Sequence, residues 1–475
     1  MNILLISTNR NQFPMPVIPI GACMVADAAY RAGHHVRFLD LMFEKDPLKA
    51  VPSEIERGIP DIVGLSVRNI DNNDIQSPAF FIRDLRSLIT TIRTGTQAPI
   101  VLGGAAVPVM PEALLRYTGA SWAVSGDGEA VFPQLLEKLS QGISPETLPG
   151  VAWIKNGMFN ANPVITSENG CPCVPPDFSR WIDVRAYLKR LSTVPVQTKL
   201  GCQFSCVYCT YRKIEGSRYR LSDPADVVEA VVKLASAGLR NIEFVDNVFN
   251  APHDHALAVC EELARVRPAA SFQSLELNPL FIDDTLVTLM ERAGFSGIGI
   301  TVESASDRVL EGLRKGFTRD HVYKASEVIR RHSLPCVWIF MMGGPNETEE
   351  TVKETLRFAE NSIRPQDVAF FGMGIRIYPG TELESIARKQ GVLSLSPAEM
   401  LEPVFYMSPD VEFRWMQTQI IMSMNGHLNF MNSGSLGIPL LPAIHRIAHG
   451  LGLRPPLWRH TRIIRRGLRL LGMEV

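Results

Sequence analysis

Long hydrophobic runs are missing from this sequence: no uninterrupted apolar stretch in its 475 residues approaches the roughly 20 needed to span a bilayer. A transmembrane helix is therefore not expected. The apolar start, Met1–Thr8, has no basic residues before it and reads as a buried strand rather than a signal peptide. An excess of charge is missing as well. With 48 Lys and Arg against 49 Asp and Glu, the net charge of -1 leaves no overall footprint for nucleic acid. Cysteine is scarce, eight in all, which excludes a disulfide-stapled scaffold. No G-x-G-x-x-G follows the first strand candidate, which counts against a dinucleotide site. What is present, 46% hydrophobic and 20% charged residues, is the composition of a soluble globular chain of two or three domains.

Three of the few cysteines stand together. Cys202, Cys206 and Cys209 lie in Leu200-Gly-Cys-Gln-Phe-Ser-Cys-Val-Tyr-Cys-Thr-Tyr211, spaced C-x3-C-x2-C within eight residues. A zinc site usually shows paired C-x2-C units with a fourth ligand nearby, and no second pair follows. A redox dithiol has no use for a third thiol. Three thiolates are one too few for a closed four-cysteine iron–sulfur site. A cubane held this way keeps one iron without a protein ligand, which leaves a coordination position open for chemistry. Such thiolates need a reducing compartment, so the cytoplasm is the expected location. Cys171-Pro-Cys173 reads as a fourth ligand, a redox pair or an incidental linker pair, while Cys23, Cys260 and Cys336 sit in apolar periodic segments and read as core.

Residues 1–145 alternate strand and helix patterns, as in a doubly wound parallel sheet. The strand candidates are Ile3–Ser7, Val36–Leu39, Ile62–Ser66, Ile100–Leu102 and Trp122–Ser125; helices are expected over Gly21–Arg31 and Pro78–Ile92. Small or polar residues follow the strands: Asn9, then Ser66-Val-Arg68, then Gly103-Gly104, then Gly126-Asp-Gly128-Glu129. In such sheets a ligand sits beyond the carboxyl ends of the strands, where glycine admits close approach. Residues 146–190, rich in proline and without periodicity, read as an interdomain connection. Alternation resumes over 191–400. Strands are expected at Val194–Thr198, Asn241–Val245, Phe272–Leu277, Ile298–Val302, Cys336–Met341 and Phe370–Tyr378, which suits a partial (β/α)6 barrel with its functional groups at the strand ends.

The cysteine spacing resembles the signature of the radical S-adenosylmethionine (SAM) enzymes, in which SAM chelates the open iron of a [4Fe–4S] cluster. The segments Pro19-Ile-Gly21, Asp61–Ser66, Val101–Gly104 and Ser125–Glu129 resemble the cobalamin-binding domain that precedes the barrel in many of them. By that resemblance Asn9, Gly21, Ser66, Arg68, Gly103, Gly104, Gly126, Gly128 and Glu129 contact cobalamin. Tyr208 lies beside the SAM adenine and Glu303 meets its ribose; Asp246, Gly343 and Gly344 also line the SAM site. Glu347 and Thr348 cap the following helix, and Arg376 faces substrate, an anionic SAM group or solvent. None of the ten histidines has an aspartate two positions before it, so the D-x-H-x-x-G loop that supplies a lower cobalt ligand is missing. The resemblance is then to the subgroup that holds cobalamin without histidine. It implies a methyltransferase that moves a methyl group from SAM by way of cobalamin to an unactivated carbon. A flavodoxin or ferredoxin would supply electrons. A cyclase or rearrangement enzyme is the alternative within this architecture. A methylthiotransferase is disfavoured, because the N-terminal domain offers only Cys23 for a second cluster.

Residues 401–475 depart from the family pattern and are expected to be mostly helical. In Leu457–Leu471, Arg462, Arg465, Arg466 and Arg469 fall on one helical face, with Ile464, Leu468 and Leu471 on another. Such a helix packs on the enzyme's own body, lies in an anionic membrane interface or, least expected, meets nucleic acid, and this apolar, basic region hints at a lipid or natural-product substrate.

Overall fold

In the computed structural model, which describes residues 1–165, 175–436 and 441–470, two seven-stranded sheets carry the chain. The N-terminal sheet consists of β1 (Asn2–Ser7), β2 (His35–Asp40), β3 (Ile62–Ser66), β4 (Ile100–Gly103), β5 (Trp122–Val124), β6 (Val151–Lys155) and β7 (Met158–Ala161), in the order β2-β1-β3-β4-β5-β6-β7. β1 to β5 run parallel. β1 and β3 are neighbours flanked by β2 and β4, so the strand order reverses there and opens a crevice at the carboxyl ends. The helices Ile20–Arg31 and Gly128–Ser140 pack together over one face of this sheet.

The connection read as irregular is only partly so. β6 and β7 add an antiparallel hairpin to the N-terminal sheet. It turns at Asn156-Gly157, both left-handed (φ 52° and 78°), the backbone that a two-residue hairpin turn demands. Two short helices, Phe178–Trp181 and Val184–Leu188, complete the connection. The pair Cys171 and Cys173 lies outside the described residues.

The second sheet is built from β8 (Val194–Val196), β11 (Asn241–Phe244), β12 (Ser271–Leu277), β13 (Phe295–Glu303), β14 (Cys336–Met342), β15 (Val368–Met373) and β18 (Phe430–Asn432). All pair in parallel, in the order β18-β15-β14-β13-β12-β11-β8. The six expected strands are therefore joined by a seventh from the C-terminal region, seated by Phe430, which is buried edge-on against Phe371. Two short antiparallel ribbons complete the architecture: β9 (Lys199–Leu200) with β10 (Arg220–Leu221), and β16 (Ile375–Arg376) with β17 (Phe405–Tyr406).

One apolar core joins the two sheets. Leu4, Ile6, Val63 and Leu102 of the N-terminal sheet cluster with Val207, Leu313, Ile375 and Tyr406 of the barrel. Because interiors pack like organic solids, this shared core fixes the N-terminal crevice against the barrel mouth. Cys23, Cys260 and Cys336 are buried in apolar clusters, as expected.

Candidate functional site

The cysteine loop leaves the carboxyl end of β8 and is tied at its base by the β9–β10 ribbon. Gly201 holds φ at +87°, and a Cβ there would stand 2.0 Å from the Arg218 carbonyl oxygen, so only glycine fits. The backbone then anchors the loop along its length. Cys202 N–H donates to the Gly216 carbonyl (3.2 Å), Val207 N–H to Leu313 (3.2 Å), and Leu383 N–H to the Val207 carbonyl (2.9 Å). Cys202 is buried, while Cys206 and Cys209 are half-buried.

Burial, then the nearby Cys206, raises the Cys202 thiol; burial, then Cys206 and Cys202, pushes Cys209 up to about 12. Such crowded thiols, with Cys202 and Cys209 resisting ionisation on their own, are suited to a polycationic metal centre, which binds them as thiolates and releases their protons. Among the described residues no three such ligands converge on one ion.

Beside the loop, Tyr208 and Glu303 meet directly. The Tyr208 hydroxyl donates to Glu303 Oε1 at 2.8 Å. A residue that the motifs did not mark completes the group: Lys315 Nζ stands 3.1 Å from both the Tyr208 hydroxyl and Glu303 Oε1, and all three side chains are half-buried or buried. Burial works against the Lys315 charge, but Glu303 and Tyr208 outweigh it and hold the ammonium. Glu303 adopts φ +61° at the end of β13, where the register with β14 shifts. A non-glycine residue in the left-handed region costs on the order of 1 kcal/mol or more, a local strain typical of functional sites. Next to it, Glu276 at the end of β12 is accessible to solvent at the barrel mouth. The protein mass around that hollow, then the charge of Glu303, pushes its carboxyl up to about 8, with Lys315 opposing.

Three expected SAM contacts are otherwise engaged. The Asp246 carboxylate is buried and accepts from Thr198 N–H (2.7 Å), Thr198 Oγ1 (2.7 Å) and Lys199 Nζ (3.1 Å), so it braces the start of the cysteine loop. Gly343 N–H donates to Glu347 Oε2 (3.1 Å), and a Cβ on Gly343 would meet Met407 Sδ at 2.4 Å. A Cβ on Gly344 would meet Leu313 at 3.0 Å. These glycines let the chain pack on itself. Thr348 caps the next helix as expected, accepting from Thr351 N–H, and Glu347 accepts both from the Gly343 amide and from the Thr351 hydroxyl in that helix's first turn (2.7 Å).

Arg376 differs most from its expected place. Its guanidinium is buried, with Nε donating to Asp71 Oδ2 at 2.7 Å and the remaining nitrogens to the carbonyls of Ile377 (2.6 Å) and Met400 (2.7 Å). It joins the barrel to the loop after β3 and has no free face for substrate. Arg376→Met strands a fully buried carboxylate, so urea unfolding should show a loss of about 3–5 kcal/mol; a loss below about 1 kcal/mol would mean that the pair does not hold the two sheets together.

At the N-terminal crevice the expected cobalamin residues gather around two cavities. Gly21, Ser66, Gly103, Gly104, Gly126, Gly128 and Glu129 line one of about 190 Å³ between the sheet and the two helices over it. Asn9 and Arg68 line a neighbouring one of about 280 Å³ beyond β1 and β3. Neither is lined by histidine. The donor set fits a large ligand. A Cβ on Gly21 or Gly103 would meet nothing within 4 Å, so both leave open space, and Asn9 Nδ2 is buried without a partner. Gly104, at φ +96°, instead lies against the Val67 backbone. Ile214, five residues beyond Cys209, lines the 190 Å³ cavity. The Arg220–Asp127 ion pair (2.5 Å) fastens the same segment to the crevice. From the N-terminal side Arg68 faces Tyr211 and Glu243 of the barrel, both near enough to act on it.

Comparison with known proteins agrees with this geometry. The family model described as the radical SAM superfamily matches residues 196–359, and the B12 binding domain matches 6–136. An uncharacterized methyltransferase of Pyrococcus horikoshii is 26% identical over 79% of each chain. A tryptophan 2-C-methyltransferase of Streptomyces laurentii is 23% identical over 78% of this chain and 72% of its own. The same fold occurs in the radical SAM methyltransferase TsrM from Kitasatospora setae, solved with cobalamin and a [4Fe–4S] cluster bound (TM-score 0.84, 24% identity, 99% of both chains covered). This chain therefore belongs to the radical SAM enzymes that carry a B12-binding domain, the class B methyltransferase-like group, with a [4Fe–4S] cluster, SAM and cobalamin as its cofactors.

Proposed function

We propose that this enzyme transfers a methyl group to carbon in a small-molecule natural-product intermediate that bears polar groups. The observation that carries the reading is the closeness of the two cofactor regions: the segment that begins with the cysteines reaches the glycine-lined cavity within five residues, at Ile214. When bound, the cluster and SAM supply one-electron chemistry and cobalamin supplies a methyl carrier. The chain's own residues do the placing. Cys202, Cys206 and Cys209 would hold the cluster. Tyr208 would lie beside adenine, and Glu303, oriented by Lys315, would accept from the ribose hydroxyls. The shared apolar core holds the two sites in fixed register and keeps water from the space between them.

The polarity of the mouth supports the substrate class. Arg68 and Glu276 present polar groups there, which suits a substrate with its own polar handles. The lipid half of the expectation rested on the tail, and the tail meets the barrel elsewhere. Trp458 packs on Gly297 near the amino end of β13, and Arg465 bonds carbonyls before and at the start of β18. A flavodoxin or ferredoxin in the cytoplasm is the proposed electron source.

The test is the anaerobically reconstituted enzyme supplied with methyl-labelled SAM and a metabolite extract. Label in a carbon-bound methyl of a small product is the expected outcome. A cyclised or rearranged product without label would sink the methyltransferase reading and leave the cyclase.

A further inference from the structure

The C-terminal region carries a charge pattern that the site does not use. Between Glu412 and Glu474 there is no acidic residue, yet there are eight arginines, in a chain whose net charge is -1. Two of the arginines serve the fold: Arg465 is buried against backbone carbonyls at 427–430, and Arg469 reaches the carbonyls of Asn425 and Met424. The sequence pattern had set all the tail arginines on one face; Arg465 and Leu468 in fact face inward together. The outward face of the helix Thr461–Leu470 bears Arg462, Ile463, Arg466 and Leu470, with Ile463 74% and Leu470 82% exposed. The preceding helix Leu441–Gly450 and its exit add Arg446, Arg454, Ile447 (64% exposed) and Leu451 (76% exposed).

We infer that this face docks on an anionic lipid bilayer surface. Exposed aliphatic side chains interleaved with arginines, and no acid among them, are the composition of an interfacial helix, whose apolar residues enter the headgroup boundary while guanidinium groups meet lipid phosphates. Self-association is opposed by charge, since two such faces would set arginine against arginine. Nucleic acid is a poorer match, because single strands call for aromatic platforms, and the exposed apolar residues are aliphatic. No helix among the described residues is long and apolar enough to cross a membrane, so the contact is peripheral. It lies at the amino end of the barrel strands, away from the cysteine loop, and would leave the site open when docked. The inference does not depend on the substrate proposed above.

Full-length cofactor-loaded enzyme should co-sediment with vesicles rich in phosphatidylglycerol and much less with phosphatidylcholine alone, the difference shrinking as salt rises. Arg462→Glu with Arg466→Glu should weaken partitioning at least about tenfold, with melting temperature and cobalamin content unchanged. Ile463→Ser, which keeps every charge, should weaken it as well. Partitioning unchanged by the charge reversal would overturn the inference. So would binding to an oligonucleotide but not to vesicles.

Discussion

Cys206→Ala is expected to yield a folded protein that holds no [4Fe–4S] cluster and cleaves no SAM. The loop's shape does not depend on the Cys206 side chain. It rests on the left-handed Gly201, on the Cys202 and Val207 amides, and on Leu383 N–H reaching back to the Val207 carbonyl. Cys206 is only half-buried, so truncation should change stability by no more than about 1 kcal/mol. The cluster, by contrast, loses one of three corners and is left with two protein ligands, Cys202 and Cys209. Iron and sulfide analysis after anaerobic reconstitution, beside circular dichroism, reads the two effects separately. A variant that keeps full iron content would show that Cys206 is not a ligand, and would require a third donor from elsewhere.

What the sequence made legible was chemistry concentrated in short windows and structure repeated over long ones. The C-x3-C-x2-C run needs one loop to bring its thiols together, so spacing alone reports the site. The βα alternation repeats often enough that eleven of the fourteen strands in the two sheets could be placed within a few residues. Long-range partnerships left no such trace. Lys315 stands in Leu313-Arg-Lys-Gly-Phe317 with nothing to separate it from a surface lysine. Its role arises only because β13 ends at Glu303 where the loop presents Tyr208. Arg376 and Asp71 are 305 residues apart, and nothing local tells a guanidinium that spans two units from one that faces a ligand. The glycines after β14 read as a ligand cradle, but glycine also marks close chain-to-chain approach, and Met407 and Leu313 stand where their side chains would be. One omission was avoidable. Asn156-Gly157 between two apolar runs is a strong hairpin signal, and it would have placed β6 and β7.

The sharpest test of the N-terminal site uses two adjacent glycines with opposite surroundings. Gly103 ends β4 without a left-handed φ, and a Cβ there meets nothing within 4 Å, so Gly103→Phe should fold normally and send its ring into the 190 Å³ cavity. Cobalamin should then bind at least about a hundredfold more weakly, close to 3 kcal/mol, while melting temperature stays near the parent value and the cluster still loads. Gly104→Phe should instead damage the fold: at φ +96° its Cβ would lie 2.6 Å from the Val67 carbonyl oxygen. Equilibrium dialysis against hydroxocobalamin and thermal melts separate the two variants. If Gly103→Phe took up cobalamin as the parent does, the glycine-lined cavity would not be the cofactor's. The methyl carrier would then have to sit in the cavity beside Asn9 and Arg68, which Ile214 does not line. The closeness on which methyl transfer is proposed would be lost with it.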